Sequence, residues 1–293
     1  MSAHEDRFPR RDWSARWEAL ESLASDEERA LSWRQQGHHW LTEIVDVLGN
    51  GFRLHDVGGF WIVSDREPRI IKRIGGLLQR ARKQILSDLT GIAQDASYAQ
   101  LAVLWLEDEQ QYYDYIAHFY PESGEFAVSG GMFLGNGYPH FVFPHYEELS
   151  QLEHVLSHEL THALLNHLSL PLWLNEGMAV AMEENLAGPV RALTIPQLLF
   201  EYPDFWNPAT IQEFWRGDSF TRPDEGNELS YALAQLLTVN LAHDYGRFRE
   251  FVLASNAQDG GAAAAREQLG IDLGDLVGAV LGEGDWSPRP EAW

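Results

Sequence analysis

His158-Glu159-Leu160-Thr161-His162 brings together three side chains capable of metal-assisted chemistry. Residues four apart on a helix lie one above the other on one face, so both imidazoles can reach a single ion about 2 Å from each nitrogen. Glu159, one position on, stays in reach of a water activated by that ion without being a ligand itself. Chance alone gives roughly 0.04 such five-residue matches in a chain with this many His and Glu, which makes an ordinary polar helix face the weaker reading. Metal-assisted hydrolysis also needs a third protein ligand and an open position. The candidate is Glu176, within Trp173-Leu174-Asn175-Glu176-Gly177-Met178-Ala179. Leu170-Pro171 breaks the first helix, so a second helix can turn back across it with Glu176 in its first turn. The alternative reading of Glu176 is an acid favoured by the helix dipole.

The elements that must hold these groups follow from periodicity. Glu147 to Leu168 reads as a helix, with Ser150 and Glu153 as a capping box and Leu152, Leu156, Leu160, Ala163 and Leu164 on one stripe. A second helix spans about Trp173 to Asn185, ended by Gly188-Pro189. Upstream, Trp13 to Val47 gives one or two amphipathic helices stopped by Gly49-Asn50-Gly51, and Phe52–Leu54 with Phe60–Ser64 forms a hairpin over Gly58-Gly59. Pro68 to Leu89 is a helix, Leu101 to Leu106 a strand and Gln111 to Phe119 a helix. Three short strands follow at Phe126–Ser129, Met132–Leu134 and His140–Phe143, the last two joined across Gly135-Asn136-Gly137. Downstream segments, including Leu229–Ala242 and Arg247–Leu253, are helical. The expected fold class is α+β: a mixed sheet with an active-site helix, then a mainly helical half. The expected organisation is a helical extension over 1–50, a main domain over 51–282 and a loose tail over 283–293.

HELTH followed by WLNEGMA resembles the gluzincin branch of the zincin metallopeptidases, and the spacing is closest to its compact MA-like group. The resemblance spans about Leu152 to Glu184 and implies a zincin-like fold. It further implies that His158, His162 and Glu176 bind zinc, that Glu159 is the general base, and that a peptide or protein is the substrate. Ser230-Tyr231-Ala232-Leu233-Ala234 is similar to the segment that carries an oxyanion-stabilising Tyr in that group, which implies Tyr231 for this role, with His243 on the same predicted helix as the fallback donor. Ser129-Gly130-Gly131-Met132-Phe133-Leu134 lies where the aminopeptidases of the branch carry GxMEN. No Glu follows Met132, so the resemblance does not extend to recognition of a free N-terminus. By the same analogy the strand ending at Phe143 is the sheet edge to which an extended peptide would add.

Composition narrows the alternatives. The chain of 293 residues carries 21 Lys and Arg against 44 Asp and Glu, a net charge of -23. Such a chain repels phosphate backbones and anionic lipid, arguing against nucleic-acid and membrane partners and modestly favouring basic peptides. There is no cysteine, which leaves His, Asp and Glu as metal ligands. No apolar run is long enough to span a bilayer and no secretory signal is evident, so a cytoplasmic location is expected. His154, His38, His39, His140, His145 and His167 read as structural or solvated. Glu183, seven residues after Glu176, is a candidate to orient an imidazole. Trp13, Trp17, Trp33 and Trp40 read as packing. A zincin scaffold that binds zinc and recognises a partner without turnover is the alternative function; a metal-free interaction protein is a third.

Overall fold

The computed structural model describes residues 7–21, 23, 25–95, 98–119, 130–146, 148–189, 195, 197, 201, 202 and 204–293. The expected strand at Phe126–Ser129 lies outside them. The fold class is α+β, with a mixed five-stranded sheet and a majority of helix. Two compact units divide the chain: Met1–Asp88 with Asp95–Leu164, and Leu89–Gln94 with Leu165–Trp293.

The first unit runs α1 (Trp13–Leu20), α2 (Asp26–Leu48), β1 (Arg53–Val57), β2 (Phe60–Ser64), α3 (Pro68–Asp88), β3 (Ala102–Trp105), α4 (Glu109–Phe119), β4 (Met132–Leu134), β5 (His140–Phe143) and α5 (Leu149–Leu165). Ser25 caps α2 by accepting from the Glu28 amide, and three acids fill its first turn. Gly49, Asn50 and Gly51 all take positive φ and turn the chain sharply out of α2. The sheet order is β1-β2-β3-β5-β4. The central β2, β3 and β5 pair in parallel, and antiparallel β1 and β4 flank them. These three central strands are buried at every position, as parallel strands covered on both faces must be.

Helices 13–48 are not peripheral to this sheet. Trp33, Trp40, Leu41 and Ile44 of α2 share one buried cluster with Trp61, Val63, Ala102 and Leu104. Gly37 of α2 makes room for the Tyr138 ring, which would lie 2.1 Å from a Cβ there. Tyr138 stacks on Trp33 and Trp61, while Trp13 meets Trp33 edge-on. The tryptophans expected to pack therefore do so.

One strand assignment needs correction. The strand ending at Phe143, β5, lies between β3 and β4, and β4 is the edge on that side among the described residues. Gly131, just before β4, leaves room for α5, since a Cβ there would stand 2.5 Å from Val155 Cγ1.

The second unit comprises α6 (Leu172–Ala187), α7 (Thr210–Arg216), α8 (Gly226–Leu241), α9 (Tyr245–Ala254), a helical stretch over Ala262–Leu269 and α10 (Leu273–Leu281). Residues 283–293, expected as a loose tail, are fixed to it instead. Trp286 is buried, and its carbonyl accepts from Trp215 Nε1 at 2.7 Å. Gln212 Oε1 accepts from Arg289 N at 2.9 Å and Trp293 Nε1 at 3.0 Å. Apolar and amide partners from α7 thus hold a segment whose Pro and Gly content reads as loop. Among the described residues, no helix is long and apolar enough to cross a membrane.

His140 sits wholly in the first unit's core, with Nδ1 donating to Tyr138 O and Nε2 accepting from the Tyr115 hydroxyl, both at 2.8 Å. Burial pushes its imidazole down to about 4, partly offset by the Tyr138 bond. The native state therefore binds fewer protons than the unfolded chain, whose His titrates near 6.5. Stability present above that value is lost as pH falls from there toward about 4. Between about pH 7.5 and about pH 5 the loss from this residue is about 2 kcal/mol. Urea unfolding at both pH values checks this: His140→Gln removes that share of the pH dependence, and an unchanged dependence in the variant contradicts it.

Candidate metal centre

Helix α5 presents two chemically distinct faces. Leu152, Leu156, Leu160, Ala163 and Leu164, the stripe expected from the spacing, are all buried. The N-terminus differs from expectation. The helix begins at Leu149, and Leu152 N bonds to Glu148 O at 3.4 Å. Ser150 consequently has a helical position, and its hydroxyl donates to the Glu148 carboxylate at 3.3 Å, so it forms no capping box with Glu153.

Off the apolar stripe, His158 and His162 converge, their Nε2 atoms 3.0 Å apart and their rings 4.7 Å between centroids. Both are half-buried, and Glu159 beside them is only 7% exposed. Glu176 is carried by the next helix, α6, which Pro171 starts by accepting from the amides of Leu174 and Asn175 at 3.1 Å each. The acid opens the second turn of α6 rather than sitting in the first as expected, because the helix begins at Leu172. The helix-dipole explanation of Glu176 loses its basis at that position.

From Trp173 to Val180, α6 is buried at every residue but Asn175. Trp173 anchors it, donating to Gly260 O at 2.9 Å and meeting Trp215 edge-on. A carboxylate at 9% exposure on such a helix is stable only with compensating donors or a cation. One ligand atom each from His158, His162 and Glu176 falls within 4.8 Å of the others. Among the described residues this is the one such grouping of His, Asp and Glu. Two imidazole nitrogens and one carboxylate oxygen are a donor set that suits zinc. Tetrahedral ligands at 2.0–2.1 Å lie about 3.3 Å apart, close to the separation the imidazoles already have. His154 is not a member of the group.

Helix α8 approaches α6 closely at Gly177, next to Glu176. A Cβ on Gly177 would stand 2.5 Å from Ala234 O and 2.2 Å from Thr238 Oγ1. Tyr231 lies one turn before Ala234, half-buried, its ring edge-on to Phe220 at 5.1 Å. His243, expected on the same helix, is exposed and lies two residues beyond its end. Glu184 of α6 accepts from Gln235 of α8 at 2.5 Å, and Glu183 is half-buried.

Tyr146 had no sequence signal, since no spacing ties it to the motif. It follows β5, and its hydroxyl donates to Gly130 O. Burial first, then the negative charges of Glu159 and Glu109, push its phenol up to about 12. Tyr146 therefore remains a protonated donor close enough to Glu159 to feel its charge. No protein-family model, curated protein or solved structure matches the chain, so the reading of this centre rests on its own residues.

The glycine contact yields a test of how Glu176 is held. Gly177→Ala forces α6 and α8 apart and is expected to lower stability by about 1–3 kcal/mol and to weaken metal binding, as read by urea unfolding and by zinc titration. Wild-type values for both would show that the close approach does not hold Glu176.

Proposed function

We propose that the chain is a zinc-dependent metallopeptidase of the gluzincin type. The observation that carries this reading is the convergence of His158, His162 and Glu176, with Glu159 one residue from the first ligand. A mixed sheet with an antiparallel edge strand ahead of the motif helix supports a zincin-like architecture. His158, His162 and Glu176 would hold the ion. Zinc, when bound, supplies Lewis acidity at the scissile carbonyl and lowers the pKa of the attacking water.

The protein groups do the rest. Glu159 takes the proton of the attacking water and delivers it to the departing amine. Its nearly buried position keeps the carboxylate oriented and strengthens its interactions relative to water. The Tyr231 hydroxyl donates to the developing oxyanion. The β4 edge, rather than β5, offers the backbone N–H and C=O groups that an extended peptide would pair with. A substrate bound in this way is fixed by main-chain bonds, leaving selectivity to side-chain pockets.

Assay of the zinc-loaded chain on an internally quenched peptide library tests the reading. Cleavage is expected. Glu159→Gln retains zinc and loses turnover by about 10³-fold, and Tyr231→Phe lowers kcat by about 10²-fold with little change in KM. A fully active Glu159→Gln protein would sink the mechanism, and a zinc-loaded wild type that cleaves nothing would favour a binding role.

A further inference from the structure

We propose that a cavity beside Tyr146 is the subsite for a lysine or arginine side chain of the peptide; this rests on the peptidase reading above. The cavity has a volume of about 370 Å³, within the range of small-ligand sites. Its walls come from Glu109, Tyr112 and Tyr113 of α4, Tyr146 and Glu148 after β5, and Gln151 of α5. Among the described residues two carboxylates, three phenol rings and the His145 imidazole line it, with no Lys or Arg. Carboxylates attract a cation and aromatic faces add a cation–π contribution. A concave site in a chain of net charge -23 focuses negative potential. An acidic side chain is repelled there, and a neutral aliphatic one gains only apolar contact. The two acids are not part of any three-donor metal grouping among the described residues, which favours an organic cation over a chelated ion.

Position connects the cavity to the chemistry. Gln151 precedes His158 by seven residues, so it shares the face of α5 that carries the two imidazoles and lies about 10.5 Å along the axis. An extended peptide advances about 3.3 Å per residue. The cavity thus meets a side chain about three residues from the scissile bond. Gly130 borders both the cavity and the β4 edge, and its carbonyl is held by the Tyr146 hydroxyl. Tyr146 in turn lies within reach of the Glu159 charge. Edge strand and cavity therefore adjoin within the first unit, with Glu159 near enough for its charge to act on Tyr146.

The test uses the full-length, zinc-loaded Glu159→Gln chain and fluorescence anisotropy with labelled peptides identical except for one residue: Arg, norleucine or Glu. The Arg peptide is expected to bind at least about tenfold more tightly than the norleucine peptide, and the Glu peptide most weakly. Adding Glu109→Gln and Glu148→Gln should shrink the Arg advantage to less than about threefold. Removing equal charge through Asp275→Asn and Glu283→Gln, which do not line the cavity, should leave it intact. Circular dichroism establishes that each variant is folded. Equal affinity for Arg and norleucine, an advantage that survives loss of Glu109 and Glu148, an advantage lost equally in the control, or no peptide binding would each overturn the subsite. Turnover by the wild type is a separate readout: binding of the Arg peptide through Glu109 and Glu148 without cleavage of any peptide would end the peptidase reading and leave the cation subsite standing.

Discussion

Helix α5 buries one face in the core and carries two half-buried imidazoles off it, and the geometry of the candidate site depends on that division. Leu152, Leu156, Leu160 and Leu164 are at most 2% exposed, which fixes the rotation of the helix about its axis. Once that rotation is fixed, His158 and His162 can only project together, one turn apart, off the apolar stripe. Burial of four leucines at about 1.5–3 kcal/mol each outweighs any single preference of an imidazole for water. Packing thereby orients the two imidazoles, and the edge of the sheet joins in through Gly131, which lets Val155 of α5 approach closely.

The carboxylate of the candidate site is held by different physics. Glu176 belongs to a helix stretch, Trp173 to Val180, buried at every residue but Asn175, so burying its carboxylate is a cost that compensating partners must offset. The close approach at Gly177 limits how far α6 can move to relieve that cost. An acid held in this way has lost conformational entropy before any ion arrives, and such preorganisation favours binding over an exposed carboxylate that must first be ordered. Tyr231 is carried on the helix that makes this same contact.

The sequence made the parts governed by local rules readable. Period-four leucines marked α5, Gly49-Asn50-Gly51 marked the end of α2, and His140–Phe143 matched β5 residue for residue. The donors of the candidate site were readable too, because a helix converts i, i+4 spacing into geometry. Sheet order was not readable: the place of β5 depends on pairing with β3, dozens of residues away. Nor was the docking of the C-terminal segment, which depends on Gln212 and Trp215, or the approach of Tyr146 to Glu159, which depends on how a loop returns past the sheet. Ser150 shows a milder failure, since a helix that starts two residues early, at Leu149, turns a cap into a first-turn residue.

The most direct test of the central claim, that His158, His162 and Glu176 form one metal site, is the zinc content of the untagged, purified chain and its His158→Ala variant by elemental mass spectrometry after equilibration with zinc. The account predicts about one zinc per wild-type chain, with nearly all of it lost in the variant. No zinc in the wild type, or equal zinc in both proteins, would contradict it.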